Sequence, residues 1–88
     1  MKIPQTLKIG GHIVKVLLVD TEDINNNCGE QNAARNIIKI RKDMPQTQIE
    51  STLIHEIIHH CNTSLKEDIV GSLSEQLYQV LKDNSLLK

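Results

Sequence analysis

Alternating apolar and polar residues in the first half of the chain predict a small β-sheet. Strands at 6–9 and 12–19 flank Gly10 and Gly11, a two-residue turn that tolerates positive φ. The second of these strands is rich in β-branched residues, which suit a pleated surface. The two strands therefore form a predicted hairpin, and a polar loop at 20–27 follows it.

Two further strands are predicted beyond this loop, at 29–31 and 37–41, with a turn at 33–36 between them. In the second strand Ile38 and Ile40 share one face, and charged residues occupy the other face. A strand with one charged face is typical of a half-exposed or edge position.

The period of the apolar residues then changes from two to about 3.6, which predicts a helix that ends near Asn62. Pro45 suits its first helical position, and Thr47 with Glu50 forms a candidate capping box. The main apolar seam comprises Ile49, Leu53, Ile57 and Cys61, broadened by Ile54 and Ile58. His55 and His59 project about 170° from the centre of this seam, so they are not expected to fill a core.

A second amphipathic helix is predicted from about Leu65 to Asp83, with Asn84 ending it in a left-handed conformation. Ser64 and Glu67 form a second candidate capping box at its start. The predicted core-facing stripe comprises Ile69, Val70, Leu73, Leu77, Val80 and Leu81.

These elements predict an α+β fold, in which a small and largely antiparallel sheet of three to four strands precedes two packed helices. Eighty-eight residues suffice for a single domain, 1–88, with a small core. The chain has no Trp or Phe and one Tyr, so Ile, Leu and Val must build that core.

Composition excludes several classes of function. The formal net charge is −1 and no basic stripe is present, which argues against a nucleic-acid partner. The longest apolar run is too short for a membrane span, and the N-terminus shows no signal-peptide pattern, so a cytoplasmic location is expected. Cys28 and Cys61 do not form a disulfide framework, and Cys61 is expected in the core.

The candidate chemistry lies in the first helix, where residues 55–60 read His-Glu-Ile-Ile-His-His and contain the pattern H-E-x-x-H. On a helix, residues four apart share a face, so His55 and His59 can offer two imidazole nitrogens to one metal ion. Glu56 lies about 100° round the helix and can act as general base on a metal-bound water. Catalytic zinc takes three protein ligands, so a third ligand is required.

The second helix offers that ligand, because a short connection folds it back beside the first. Glu67 lies about 100° from the centre of its apolar stripe and can turn inward, whereas Asp68 and Glu75 face away. Glu67 is the predicted third ligand, its rival role is the capping-box glutamate, and Glu75 is the fallback ligand. His60 points with the apolar seam of its own helix and is expected to be packed or to support the site indirectly.

The segment 52–60 resembles the active-site helix of gluzincin-type metallopeptidases. The whole chain is similar to small phage- and prophage-encoded proteins related to the ImmA/IrrE family. The similarity includes Ile3-Pro4 with the Gly-Gly hairpin, the strand end at 38–40, the proline before the H-E-x-x-H helix, and the C-terminal helix at 67–84.

This resemblance implies a minimal zincin-like metallopeptidase domain. It implies that a zinc ion is held by His55, His59 and Glu67, with Glu56 as the catalytic base. In larger relatives the substrate is a repressor protein, and an extended peptide is expected to add to the edge of the sheet.

Three functions remain open from the sequence: a zinc endopeptidase, a zinc-holding binding module without turnover, and a structural domain with a fortuitous motif. The sequence leaves open whether the metal is zinc or another divalent ion. It does not fix the substrate or the oligomeric state. The only aromatic candidates for stabilising an oxyanion are His60, Tyr78 and His12.

Overall fold

The computed structural model describes residues 1–87 and places four strands ahead of two helices. The strands are β1 (Thr6–Ile9), β2 (His12–Val19), β3 (Gly29–Asn32) and β4 (Ile37–Arg41), and the helices are α1 (Gln46–Cys61) and α2 (Glu67–Asp83). The predicted α+β class, with a sheet followed by two helices, is confirmed. The Cα radius of gyration is 12.3 Å, close to the value of about 12 Å for a folded domain of this length. Lys88, the last residue of the predicted domain, lies outside the described residues.

The sheet is mixed, with strand order β1-β2-β4-β3. The β1–β2 and β3–β4 pairs are antiparallel, so the sheet is largely antiparallel as predicted, but β2 and β4 are parallel. Of the two positions predicted for strand 37–41, the half-exposed one is confirmed and the edge one is wrong, because β4 lies between β2 and β3 with one face partly exposed. Its alternation of apolar and charged residues reports which face is buried and carries no information about which strands lie on either side.

A tight glycine turn precedes β2, and a short 3-10 helix follows it. Gly10 and Gly11 have φ values of +57° and +83°, as a tight two-residue hairpin turn requires. The loop after β2 is less irregular than predicted, since Thr21–Ile24 forms a 3-10 helix and the Ile24 side chain is fully buried. A single apolar residue among polar neighbours has no periodicity, so the sequence pattern does not indicate this anchor.

The core lies between the sheet and α1. It is a cluster of buried aliphatic side chains from β2, β4 and α1: Val14, Val16, Ile38, Ile40, Ile49 and Leu53. Ile57 packs against this cluster, as its place in the predicted seam requires. Cys61 is exposed, so its predicted core position is wrong, because the last turn of α1 extends beyond this cluster.

The first turn of α1 differs from the predicted one. Pro45 is the N-cap residue rather than the first helical residue, and no side chain caps the helix. The capping box of Thr47 and Glu50 is therefore wrong. Glu50 is only 3% exposed, and its carboxylate takes partners from outside its own turn.

Four groups converge on the Glu50 carboxylate. The Tyr78 hydroxyl donates to Oε1 at 2.6 Å, and the Gln46 amide donates to Oε2 at 3.0 Å. The N-terminal ammonium of Met1 lies 3.3 Å from Oε2, and the Lys82 ammonium lies 3.6 Å from Oε1. This cluster joins the N-terminus, the start of α1 and the end of α2, and the Tyr78 hydrogen bond is the main cause that lowers the pKa of Glu50 to about 2.

Helix α2 packs on α1 with only part of the predicted stripe. Val70, a member of that stripe, is buried together with Ser74, whereas four other members are 44–51% exposed: Ile69, Leu73, Leu77 and Val80. The predicted capping box at its start is also wrong, because Lys66 is the N-cap residue and no side chain caps the helix. Asn84 has φ −108°, and the positive φ (59°) falls on Ser85 instead.

Within residues 1–87 no helix combines the length and the hydrophobicity needed to cross a membrane.

Substituting Glu50 with Gln tests the buried carboxylate cluster. A carboxyl group whose folded-state pKa is depressed contributes stability above its ordinary value of 4.5, and this contribution disappears as the pH falls toward about 2. We expect Glu50→Gln to lower the free energy of unfolding by about 2 kcal/mol at pH 7 and to flatten its pH dependence below 4.5. Urea denaturation at several pH values measures both effects.

The control is Glu30→Gln, because Glu30 is 43% exposed and lies 3.9 Å from the Lys39 ammonium. Its effect should stay within about 0.5 kcal/mol at every pH. An equal loss of stability at pH 7 and pH 2 in Glu50→Gln would contradict the assigned role.

Candidate metal centre

Three predicted ligand side chains meet where α1 and α2 lie side by side. His55 Nε2 lies 2.6 Å from Glu67 Oε1, and His59 Nε2 lies 2.7 Å from Glu67 Oε2. The two imidazole rings are one helical turn apart, with centroids 4.9 Å apart in an edge-to-face arrangement. The structure thus brings the three predicted ligands together, and Glu67 bridges both histidines with its two oxygens.

The donor atoms of these three residues all lie within 4.8 Å of one another. Zinc bonds to imidazole nitrogen and carboxylate oxygen measure about 2.0–2.2 Å, so one ion requires donors a few ångströms apart. The Glu67 side chain is 75% exposed and can move back from the rings, whereas the His55 and His59 side chains are only 20% and 16% exposed. The two fixed histidines and one adjustable carboxylate fit a single divalent cation with a ligand position left open.

The electrostatics of Glu67 favour its ionised form. Partial burial alone would raise its pKa, but the hydrogen bond from His59 and the interactions with His55 outweigh burial and hold the pKa below its ordinary value. A carboxylate that stays ionised is the form that binds a cation.

Ser74 is a part of the site that the sequence pattern did not indicate. Its hydroxyl donates to the Gly71 carbonyl at 3.1 Å, so the same oxygen is free to accept from His55 Nδ1 at 3.3 Å. In this structure Nε2 of the same ring lies 2.6 Å from Glu67 Oε1 and donates to that carboxylate. If a cation took the place between them, a proton kept on Nδ1 by Ser74 would leave the Nε2 lone pair for the cation. Ser74 is therefore placed to orient the ring as a metal ligand needs, and its small size hid it among the polar residues of α2.

Glu56 is buried beside the three ligand residues, with 7% of its surface exposed. Burial raises the pKa of its carboxyl group, and the opposing charges of His55 and His59 only partly offset this effect. A carboxylate with a raised pKa is a better proton acceptor at neutral pH than an ordinary one. Glu56 thus has the properties of a general base.

The close approach of β3 to α1 buries this carboxylate. A Cβ atom added at Gly29 would lie 2.7 Å from Thr52 Cγ2 and 3.2 Å from Glu56 Cγ. A side chain at this position would have to displace the Thr52 side chain or move β3 away from α1, so the close packing favours glycine here.

An open cleft of about 710 Å³ lies in front of these groups. Its walls come from β3 with the two residues before it, from α1 and from α2. The Arg41 amide donates to the Cys28 carbonyl. In an antiparallel pair every second residue of a strand bonds to the partner strand, so Gly29 and Gln31, one and three residues further on, direct their backbone groups away from β4. Gln31 also lines the cleft, but its side-chain oxygen is buried and has no hydrogen-bond partner among residues 1–87.

The other candidate residues lie apart from the three ligands. Glu75, the fallback ligand, lines the cleft but is not part of the three-residue cluster. His60 Nε2 lies 3.3 Å from Asn36 Oδ1, and the Tyr78 hydroxyl is bonded to Glu50. His12 is an exposed residue at the start of β2. Within residues 1–87, none of these aromatic side chains lines the cleft.

The ligand set can be tested by zinc titration with a competing fluorescent chelator. We expect micromolar or tighter binding to the native chain, a loss of at least about a hundredfold for His59→Ala and Glu67→Gln, and a change of less than about threefold for Glu75→Gln. Affinity should fall as the pH is lowered, since protons compete with the metal for the ligand nitrogens. Ser74→Ala should weaken binding about 10- to 100-fold by freeing the His55 ring.

Ser72→Ala is the matched control for Ser74, because Ser72 is an exposed serine on the same helix and bonds only Gln76. It should leave the affinity unchanged. Equal effects of the two serine variants, or full binding by Glu67→Gln, would contradict the assigned geometry.

The packing at Gly29 generates a separate prediction. Gly29→Ala should lower the free energy of unfolding by about 1–3 kcal/mol, because the methyl group forces β3 and α1 apart. Gly71→Ala is the control, since a Cβ there has no neighbour within 4 Å and alanine favours the helix by up to about 1 kcal/mol. Thermal or urea denaturation measures both variants, and a neutral Gly29→Ala would refute the close approach.

Comparison of this chain with protein-family models, with curated proteins and with solved structures gave no match. The relation to gluzincins and to the ImmA/IrrE family therefore remains a resemblance between residues. The fold brings His55, His59 and Glu67 together next to the buried Glu56. This cluster lies at the edge of a small mixed sheet.

Proposed function

We propose that this protein is a zinc-dependent endopeptidase. The observation that carries the proposal is the convergence of His55, His59 and Glu67 next to the buried carboxylate of Glu56. Two imidazoles, one carboxylate and an open ligand position are the composition of a hydrolytic zinc site. Zinc bound there would lower the pKa of its water toward about 7 and polarise a substrate carbonyl.

The residues of the chain would divide the remaining work. Glu56 would accept the proton of the attacking water and deliver it to the leaving amine. Its burial supports this role, because burial raises the pKa of Glu56 and a carboxylate with a raised pKa is a stronger proton acceptor. Ser74 would hold His55 in the tautomer that keeps Nε2 available.

The cleft supports a peptide as substrate. The outward-pointing backbone groups of Gly29 and Gln31 are suited to pairing with an extended segment added alongside β3. The resemblance described above points to a repressor protein as the source of that segment.

One observation favours a second function, a zinc-holding module that binds a protein without cutting it. Within residues 1–87 the cleft contains no Tyr, Arg or Lys, and its only histidines are the two predicted ligands. A peptidase commonly uses such a group to stabilise the oxyanion. In this protein the metal would have to serve that purpose with the help only of uncharged donors of the cleft, such as Asn27, Gln48 and Ser51.

Glu56→Gln separates the two functions. We expect the variant to bind zinc within about threefold of the native affinity and to lose at least about a hundredfold of the cleavage rate on a fluorogenic peptide library. Glu75→Gln, a change to another cleft carboxylate, should retain both properties.

Undiminished cleavage by Glu56→Gln would contradict the proposed mechanism. Zinc binding by the native chain without cleavage of any library member would favour the binding module instead.

A further inference from the structure

Helix α2 carries an apolar face that no described part of the chain covers. Ile69, Leu73 and Val80 are 45–51% exposed, and Leu77, at 44%, widens the same stripe. The opposite side of α2, with Val70 and Ser74, packs on α1. A row of half-exposed aliphatic side chains on one helix is a feature of an interaction surface.

The spacing of this face is that of a coiled-coil seam. Residues at successive steps of three and four follow one line along the helix: Lys66, Ile69, Leu73, Gln76, Val80 and Asp83. This a/d pattern is the one that packs helices against each other with knobs in holes. Glu67, Gly71 and Ser74, which line the metal cleft, lie on the other side of α2.

The seam is complementary to itself when two copies run antiparallel. A two-fold axis midway between Leu73 and Gln76 places Ile69 against Val80 of the second copy and Leu73 against its Gln76. The same axis places Lys66 at one end of the seam against Asp83 at the other end. Both charged residues are exposed, and neither forms an ion pair within residues 1–87.

We propose that this face binds a second copy of the chain as an antiparallel α2–α2 dimer. A parallel arrangement would set Lys66 against Lys66 and Asp83 against Asp83, so the charges select the antiparallel one. Gln76 is a polar residue within the seam. As in coiled coils, such a residue fixes the register of the two paired helices and lowers the affinity of the dimer. Both metal clefts remain open, and the dimer does not depend on the proposed peptidase activity.

One helix pair buries less than the roughly 800 Å² per partner of a standard interface, so the dissociation constant should lie at roughly tens of micromolar. Sedimentation of the native chain from about 1 to 500 μM should show the mass rising from 9.9 kDa toward twice that value. A monomer over this whole range would overturn the proposal.

Leu73→Glu tests the face. It should weaken the dimer at least about 30-fold, because it brings charge into the centre of the seam, and it should leave zinc affinity and the circular dichroism spectrum unchanged. Ile13→Glu, at a 65% exposed aliphatic residue on β2, should leave the dimer intact. A dimer that is insensitive to Leu73→Glu would place the contact on another face and overturn the proposal.

A charge exchange tests the orientation. Lys66→Glu and Asp83→Lys should each weaken the dimer about tenfold at low salt, because each creates two like-charge contacts, and the double variant should return to within about threefold of the native affinity. Lys8→Glu, the same charge change on the exposed part of β1, is the control. Gln76→Leu should tighten the dimer about tenfold. Failure of the double variant to recover would overturn the antiparallel arrangement.

Discussion

The fold depends on the burial of α1 along two sides. One side packs Ile49 and Leu53 on the sheet, and the other side lies against α2. A helix covered on both sides has little free surface, so its polar residues must find partners inside the protein. Glu50, Glu56 and His55 do so in three different ways: Glu50 lies in a cluster of hydrogen bonds, Glu56 is buried against β3, and His55 contacts Ser74 in the candidate metal centre.

Each solution draws on a different neighbour of α1. Glu50 uses Tyr78 from the last turns of α2, His55 uses Ser74 from the middle of that helix, and Glu56 lies against Gly29 of β3. The same packing that stabilises the domain therefore positions the groups of the candidate site. Changes at Gly29 or Ser74 act on chemistry through position, without contacting a substrate.

The strands, the helices and the proximity of the three candidate ligand residues could be predicted from local pattern, because alternation and helical spacing are local properties. The central position of β4 could not, since it depends on where the chain crosses over after β2. The buried face of α2 was assigned only in part: the hydrophobic pattern included Val70, which is buried, but also Leu73 and Leu77, which are not, and it missed the small Ser74. Glu67 was still identified correctly as a neighbour of both histidines, although it lies on the packed face itself rather than at the margin of the apolar stripe.

The three candidate ligands all belong to one helical hairpin, and only twelve positions separate His55 from Glu67. The parallel pairing of Lys15 with Ile37 closes a longer loop than this. The ligand cluster needs only the packing of α2 beside α1, whereas the burial of Glu56 also needs Gly29 of β3 against α1. The candidate ligands and the candidate base therefore depend on different parts of the fold, and loosening β3 would expose Glu56 while leaving the three candidate ligands together.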